Sequence, residues 1–281
     1  MKVQQKLAIG IIRARINLLA LMSTKKAAEE AFRLFCTPLG KNTIKPKSLF
    51  ENAEQHSFVL DNKRIHGFRF NHPQQKKILL LHGFSSSTVN FDMYVQPLID
   101  KQYEVLAFDA PAHGKSEGKT VNAVDYAAVI RKVVELYGPV HAFLAHSFGG
   151  LAISLAMETM PHDADTKIVL IAPATETTSA IDGAFAMLGI KNKKIRQEFD
   201  AIVEEKGGHP PAWFSVRRAM QHIKASVLWF HDEDDDITHL ADALAVKTDN
   251  LPNVKFVITS RLGHRKIYRD QSVIDRIMQF L

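Results

Sequence analysis

Residues 140–157 read VHAFLAHSFGGLAISLAM, an apolar run followed by a serine corner and a second apolar stretch. Val140–Leu144 is typical of a buried strand and Leu151–Met157 of a helix. Small residues on both sides of Ser147 allow the strand and helix backbones to approach closely at a sharp turn. Such a corner exposes the serine hydroxyl and leaves the next backbone N–H free to hold an oxyanion. Ala145 stands where glycine is usual, and its methyl group predicts slight strain in the turn.

Strands and helices alternate along most of the chain. Strand-like runs lie at 57–60, 65–70, 78–81, 104–108, 140–144, 167–171, 227–230 and 254–259, and helix-like runs at 95–101, 121–136, 151–158, 240–246 and 273–281. The continuous apolar run 78–81 suits the middle of a parallel sheet, where both faces are covered. The sequence therefore predicts an α/β fold with a doubly wound, mainly parallel sheet flanked by helices.

The alternation stops between about residues 174 and 224, where helical candidates at 181–188, 195–205 and 213–223 replace the strand signals. An insertion of this length between two strands is usually a functional loop or a small subdomain. We therefore expect a domain at 55–281 that carries a helical cap at about 174–224. Apolar residues of this cap either pack as its core or line a substrate pocket; the pocket candidates are Phe185, Leu188, Trp213 and Phe214.

Residues 1–50 are predicted to form a basic helical extension. They contain ten Lys or Arg and two Glu, a net charge of +8 against +6 for the whole chain, so the remaining residues sum to −2. This distribution argues against a nucleic-acid-binding surface on the main domain. One helical face of the extension groups apolar residues, namely Leu7, Ile11, Ala14, Leu18, Leu21 and Met22.

Arg13 and Arg15 interrupt the apolar run of the extension, which argues against a signal peptide and against a membrane-spanning helix. Residues 1–23 are expected to dock on their own domain or a partner, to contact an anionic membrane surface peripherally, or to form a loose tail. The single cysteine, Cys36, excludes an intrachain disulfide and favours a reducing compartment. We therefore expect a cytoplasmic protein, peripheral to the inner membrane face if the membrane alternative holds.

Four polar segments come directly after predicted strands, at 82–84, 145–149, 232–236 and 263–265. The carboxyl ends of parallel strands meet at one edge of a sheet, so these segments are expected to lie close together. Acyl transfer needs a serine nucleophile, a histidine that moves its proton, a carboxylate that orients the histidine, and N–H groups for the oxyanion. The four segments supply all of these groups, in the chain order Ser, Asp, His.

Together these motifs resemble those of the α/β-hydrolase family over about residues 55–281. The matching pieces are the HGF turn at 82–84, the loop DAPAHGKS at 109–116 with alanine replacing a glycine, the serine corner, the acid loop at 232–239, and Gly263-His264. The resemblance implies that Ser147 is the nucleophile and His264 the general base. It implies that the backbone N–H groups of Phe84 and Phe148 form the oxyanion hole, in the manner of the lipase and simple esterase branch.

The acid loop has more than one candidate for the third residue. In the register of the family's G-x-x-D-x-x-V-P loop, Asp235 is the acid, with Asp232 in place of the glycine and His239 in place of the proline. Asp234 is the alternative. The carboxylates between His231 and His239 also suggest a divalent cation, but no spaced metal-ligand motif is present. We therefore expect neither a metal nor a cofactor.

Three further histidines lie in these motifs. His146 precedes the serine and is predicted to pack at the cleft or to line the substrate pocket. His82 and His113 are predicted to have structural roles in their own loops.

The leading functional hypothesis is a serine hydrolase that cleaves small carboxylic esters of apolar, modest-sized acyl groups through an acyl-enzyme. Its partner is a small-molecule ester and not a nucleic acid. The alternatives that use the same residues are a thioesterase, a C–C bond hydrolase, a perhydrolase and a lipid hydrolase at a membrane surface. A ligand-binding protein without catalysis is a further alternative, because a fold does not by itself imply a function. The sequence does not predict an oligomeric state.

Overall fold

The computed structural model describes residues 3–38 and 48–281, which divide into two compact units. One unit combines Met1–Thr37 with Glu176–Ser215, and the other combines Pro38–Thr175 with Val216–Leu281. The sequence predicts residues 1–50 as a separate extension and about 174–224 as a cap, whereas the structure groups helices from both segments in the first unit. Of the predicted extension, residues 1–2 and 39–47 lie outside the described residues.

The described elements are helices α1 (Val3–Met22), α2 (Thr24–Phe35), α3 (Ser48–Glu51), α4 (Asp92–Asp100), α5 (Ala123–Tyr137), α6 (Phe148–Met157), α7 (Thr177–Leu188), α8 (Lys193–Gly207), α9 (Val216–Met220), α10 (Leu240–Thr248), α11 (Gly263–Lys266) and α12 (Gln271–Phe280), with strands β1 (Glu54–Leu60), β2 (Lys63–Phe70), β3 (Lys76–Leu81), β4 (Tyr103–Phe108), β5 (Ala142–His146), β6 (Lys167–Ile171), β7 (Ser226–Asp232) and β8 (Val254–Thr259). Short 3₁₀ helices cover Thr88–Phe91, Pro211–Trp213 and Ile267–Arg269.

The second unit is built on an eight-stranded sheet in the order β1-β2-β4-β3-β5-β6-β7-β8. The pairs β1–β2 and β2–β4 are antiparallel, and the strands from β4 to β8 are parallel neighbours. This topology confirms the predicted α/β fold with its mainly parallel sheet. All residues of β4 and β5 are buried, as expected for strands that are covered on both faces.

The register of the central strands determines which loops meet. Leu81, the last residue of β3, lies beside Ala145 of β5, and His146 at the end of β5 lies beside Ile171 of β6. The next strand, β7, pairs Phe230 with that same residue of β6. The chain therefore leaves four neighbouring strands at the same edge of the sheet, the position at which open parallel sheets bind ligands.

The first unit is a small helical assembly. The ring of Phe199 in α8 packs edge-on against the rings of Phe32 and Phe35 in α2, each at 5.7 Å, and against Phe185 of α7 at 5.3 Å. Helix α1 contributes the fully buried Ile16. These contacts give the unit an apolar centre of its own.

The predicted helix at 213–223 is wrong as a continuous element. It is divided into the 3₁₀ turn Pro211–Trp213 and the short helix α9. The interruption has a backbone cause, because Ser215 forms a β-bridge with Glu176 and the N–H of Thr177 donates to the carbonyl of Phe214. Helical spacing of apolar residues does not reveal such a bridge. No helix in the described ranges 3–38 and 48–281 has the length and apolarity needed to cross a membrane.

Candidate active site

The corner between β5 and α6 consists of Ser147 alone. Its backbone has φ 54° and ψ −117°, in the left-handed half of conformational space that side chains rarely adopt. Its N–H donates to the carbonyl of Ile171 at 3.0 Å, and its carbonyl accepts from the N–H groups of Gly150 at 2.9 Å and Ala174 at 3.0 Å. The strain expected at Ala145 is therefore found at the serine, since Ala145 is an ordinary residue of β5.

Two glycines after the serine allow close approach of α6 to the sheet. A Cβ atom at Gly149 would lie 2.5 Å from the carbonyl oxygen of Leu81 at the end of β3. A Cβ atom at Gly150 would lie 2.6 Å from the Cβ of Pro173. The small residues of the serine motif therefore have a steric explanation. A side chain at Gly149 would collide with backbone atoms, which cannot move aside as a flexible side chain can.

Gly149→Ala is expected to lower the free energy of unfolding by about 3 kcal/mol, the cost of forcing a methyl group into a filled space. It should also reduce the reactivity of Ser147, because α6 must move away from β3. Thermal unfolding and reaction with a serine-directed probe measure the two effects. Gly183→Ala is the control, because nothing lies within 4 Å of its Cβ position inside α7. A control as damaging as Gly149→Ala would contradict the steric explanation.

Ser147, His264 and Asp235 are joined by two short hydrogen bonds. The Oγ of Ser147 lies 2.9 Å from Nε2 of His264, and Nδ1 of His264 lies 2.8 Å from Oδ2 of Asp235. All three residues are buried. The structure thus brings together the nucleophile, base and acid candidates from loops after β5, β8 and β7. A Ser–His–carboxylate chain of this kind is suited to moving a proton from the serine hydroxyl.

The carboxylate of Asp235 is held by its own loop as well as by the histidine. Its Oδ1 accepts from the N–H groups of Ile237 at 2.9 Å and Thr238 at 2.8 Å, and its Oδ2 accepts from the hydroxyl of Thr238 at 2.9 Å. Burial alone would raise the pKa of Asp235, but the hydrogen bond and charge of His264 together with these N–H groups lower it to about 2. An ionised Asp235 can only accept a hydrogen bond, so Nδ1 of His264 must carry the proton between them. Nε2 of the neutral ring is then unprotonated and can accept a hydrogen bond from the hydroxyl of Ser147.

The alternative acid, Asp234, is engaged elsewhere. Its Oδ2 accepts from the backbone N–H of Arg261 at 2.9 Å, in the loop between β8 and α11. The hydrogen bonds therefore favour Asp235 as the partner of His264 and give Asp234 a loop-tethering role.

Asp232 positions His264 through the backbone, a role that the sequence does not predict. Its Oδ1 accepts from the N–H of Gly263 at 2.8 Å, and its Oδ2 accepts from the N–H of Leu262 at 3.2 Å and the hydroxyl of Thr259 at 2.6 Å. Burial raises the pKa of Asp232, but the hydrogen bonds from Thr259 and from the backbone outweigh burial and lower it. In the sequence this aspartate appears only as a substitution for a glycine in the acid loop.

His146 lies against His264. Its Nε2 donates to the backbone carbonyl of His264 at 3.1 Å, and its ring lies 4.8 Å from the ring of His264 and 4.4 Å from that of Tyr268. Burial lowers the pKa of His146 to about 3, so its ring is neutral at pH 7. The residue predicted to pack at the cleft or line the pocket thus ties the end of β5 to the His264 loop.

The turn that carries Phe84 passes directly against the serine corner. A Cβ atom at Gly83 would lie 3.0 Å from the Cβ of Ser147, and the rings of Phe84 and Phe148 meet edge-on at 5.5 Å. Within the described residues, neither the N–H of Phe84 nor that of Phe148 donates to a backbone or side-chain acceptor. The two N–H groups proposed to hold an oxyanion are therefore carried by adjacent segments.

Two histidines fasten this turn to the loop after β4. Nε2 of His82 accepts from the N–H of Ala110 at 3.0 Å, and Nε2 of His113 accepts from the N–H of Ser85 at 2.9 Å. Their Nδ1 atoms lie 2.9 Å from the carbonyls of Gly83 and Pro111, respectively. Each ring thus donates from Nδ1 and accepts at Nε2, which only the neutral form can do. Burial lowers the pKa of both, that of His113 to about 3.

The pocket candidates from the predicted cap belong to the first unit. Phe185, Leu188 and Phe214 are buried there, and Phe185 packs on Phe199. Trp213 is partly buried and stacks on His209 at 4.0 Å. The contacts of Phe185 are those of a core residue of its own unit.

Comparison with known proteins identifies the family of the chain. A model of the Alpha/beta hydrolase family matches residues 78–255, which is more than half of the chain. The chain belongs to the α/β-hydrolase family. The match contains the serine corner and the Asp235 loop, and it confirms the resemblance inferred from the motifs.

Individual relatives of this chain are distant. The uncharacterized hydrolase YugF of Bacillus subtilis is 25% identical over 118 residues, which cover 41% of this chain and 42% of that protein. The chain spans about half the length, or less, of the curated relatives it matches. An esterase of Pyrococcus furiosus has a similar structure, with a TM-score of 0.64 and 19% identity over 88% of this chain and 97% of that chain. A bacterial membrane phospholipase A has a TM-score of 0.61 and 15% identity over 98% of this chain and 97% of that chain. At these identities the likeness to solved structures shows the fold.

Proposed function

We propose that this hydrolase is a serine esterase that cleaves carboxylic esters of apolar, modest-sized acyl groups through an acyl-enzyme. The observation that carries the proposal is the chain of hydrogen bonds from Ser147 through His264 to Asp235, at 2.9 and 2.8 Å. Membership of a hydrolase family and the structural likeness to an esterase support it.

His264 moves the proton in each half of the reaction. Its Nε2 takes the proton from Ser147 as the Oγ attacks the ester carbonyl carbon, and the resulting imidazolium is stabilised by the ionised Asp235. The proton then passes to the departing alcohol oxygen as the C–O bond breaks. Water attacks the acyl-enzyme with the same nitrogen as base, which releases the acid and restores the serine.

The negative charge that develops on the carbonyl oxygen is held by the N–H groups of Phe84 and Phe148. Fixed backbone donors need no reorganisation during the reaction, so they stabilise the transition state more than the ester itself. The rings of Phe84 and Phe148 place apolar surface next to these donors. An apolar acyl group is therefore the expected substrate class.

A fluorophosphonate probe tests the proposal without a choice of substrate. The wild-type protein is expected to form one covalent adduct, on Ser147, whereas Ser147→Ala should form none. Ser154→Ala is the matched control, because it removes a buried serine hydroxyl inside α6 that donates to the carbonyl of Gly150 and does not contact His264. This control should be labelled like the wild type.

The outcome also separates catalysis from binding alone. A folded wild-type protein that resists the probe would contradict an activated serine and would favour the ligand-binding alternative. A labelled protein that hydrolyses acyl thioesters but no p-nitrophenyl esters would contradict the ester specificity. A labelled protein that prefers acetyl to hexanoyl esters would contradict the apolar acyl site.

A further inference from the structure

Helix α1 exposes a stripe of large apolar side chains. Leu7, Ile11, Leu18, Leu21 and Met22 are exposed to 67%, 62%, 63%, 86% and 75%, respectively. At about 100° per residue these positions share one face of the helix. They make up nearly half of the exposed large hydrophobic residues in the described part of the chain. A contiguous exposed apolar patch of this kind usually marks an interaction surface.

The stripe is the outer face of a helix whose inner face is already packed. Ile16, on the opposite side, is fully buried. Nε of Arg13 donates to the carbonyl of Leu188 at 2.5 Å within the first unit, and Arg15 lies 3.1 Å from Glu30 of α2. One face of α1 thus packs within the first unit. The exposed stripe lies on the opposite face and is not the surface by which α1 packs on its own unit.

Positive charge lies at one edge of the stripe and just after its C-terminal end. Residues 1–28 contain six Lys or Arg and no Asp or Glu. On the helical wheel Arg15 lies at one edge of the stripe, Arg13 lies on the packed side, and Lys25 and Lys26 are exposed just after the end of α1. Of the nearby carboxylates, the buried Glu30 offsets Arg15 and Arg33, and Glu29 is exposed.

We propose that this stripe docks the protein on an anionic phospholipid surface, with α1 lying in the plane of the interface. Apolar side chains enter the acyl boundary while flanking basic residues meet the lipid phosphates, the arrangement typical of interfacial amphipathic helices. No helix in the described residues can span a membrane, so α1 lies on the surface. A second copy of the chain is a less favourable partner for the stripe, because it would bring two positively charged surfaces together. Docking goes beyond the proposed esterase activity and does not depend on it.

Vesicle co-sedimentation tests the proposal with the full chain carrying Ser147→Ala, so that lipid hydrolysis cannot affect the binding. We expect binding to phosphatidylglycerol vesicles and little binding to phosphatidylcholine vesicles, with a decrease as salt rises. Ile11→Ser with Leu18→Ser should weaken binding about 100-fold, because two side chains no longer transfer from water. Lys25→Gln with Lys26→Gln should weaken it about tenfold or more.

Val59→Ser with Leu136→Ser is the matched control. Both residues are exposed, to 64% and 47%, in β1 and α5 of the other unit, so their replacement should leave vesicle binding unchanged. Equal binding of the stripe variant and the control, or no binding by the wild type, would overturn the proposal. The proposal would also be overturned if the wild type sedimented as a dimer and did not bind vesicles, and if Ile11→Ser with Leu18→Ser dissociated that dimer. The stripe would then be assigned to a second copy of the chain. Labelling of Ser147 by the phosphonate probe is measured separately, so failure of docking and failure of catalysis are distinguished.

Discussion

His264→Ala is expected to lower kcat/KM for ester hydrolysis by about 10⁶, the magnitude typical of removing the base of a serine hydrolase. The imidazole is the only group hydrogen-bonded to the Oγ of Ser147 within the described residues. Without it the hydroxyl retains its proton and is a weak nucleophile. Initial rates with p-nitrophenyl esters measure the loss, and circular dichroism checks that the fold remains.

Asp235→Asn is expected to lower the same kcat/KM by about 10⁴, less than the loss of the base itself. An amide that donates toward Nδ1 reverses the histidine tautomer, so that Nε2 carries a proton and cannot accept the one on Ser147. The loop should survive, because the amide oxygen can still accept from the N–H groups of Ile237 and Thr238.

Asp234→Asn distinguishes the two acid candidates. Its carboxylate bonds the N–H of Arg261 and not His264, so the variant should retain most of the wild-type kcat/KM. A loss at Asp234 as large as that at Asp235 would contradict the assignment. An unchanged rate in Asp235→Asn would show that the carboxylate does not determine the state of the imidazole.

Much of the fold was predictable because it depends on local patterns. The continuous apolar run at 78–81 forms the buried part of β3, and residues 142–144 of the strand predicted at 140–144 lie in the fully buried β5. The corner at Ser147 was predictable as well, since a tight strand-to-helix turn needs small residues on either side, and the Cβ position of Gly149 shows why. In both cases the physical constraint acts within a few residues of the chain.

The interactions that the sequence did not predict join residues far apart in the chain. Asp232 holds the N–H groups of Leu262 and Gly263, which lie 30 and 31 residues away. The choice between Asp234 and Asp235 likewise depends on the distant Arg261. Alternation and motif spacing identify the loops, whereas the partner of each carboxylate depends on how the loops fold over the sheet edge.

Acidification is expected to destabilise the second unit once the pH falls below about 6.5, the ordinary pKa of histidine. Burial lowers the pKa of His113 and His146 to about 3, below the ordinary value of 6.5. Above pH 6.5 the rings of His113 and His146 are unprotonated in both the folded and the unfolded chain. As the pH falls from 6.5 toward 3, the unfolded chain binds two protons that the folded chain does not. The free energy of unfolding should therefore decrease by up to about 2.7 kcal/mol per pH unit.

Other titratable groups also make the free energy of unfolding depend on pH, either in the same direction as these histidines or in a different pH range. Burial also lowers the pKa of His82 and His231, so their protonation adds to the loss of stability. Asp235 has a folded pKa of about 2 against an ordinary 3.8, so its contribution is present above 3.8 and is lost only as the pH falls toward 2. The decrease between pH 6.5 and 4 therefore comes from histidines and not from this carboxylate.

Urea unfolding at pH 7.5, 6 and 5 measures the effect in a Trp213→Phe background, where Trp229 in the sheet reports on the second unit alone. His113→Gln should reduce the dependence on pH by about one proton, or about 1.4 kcal/mol per pH unit. Ser116→Ala, in the same loop, removes hydrogen bonds with the backbone carbonyl of Asp109 and the backbone N–H of His66 but no titrating group, so it should lower stability equally at every pH. If His113→Gln kept the wild-type dependence of the unfolding free energy on pH, protonation of His113 would not be what destabilises the folded state. The hydrogen bond from the Ser85 N–H would then not require a neutral ring at His113. The explanation of how the Phe84 turn is held beside Ser147 would then fail, since that turn depends on a histidine that accepts at Nε2.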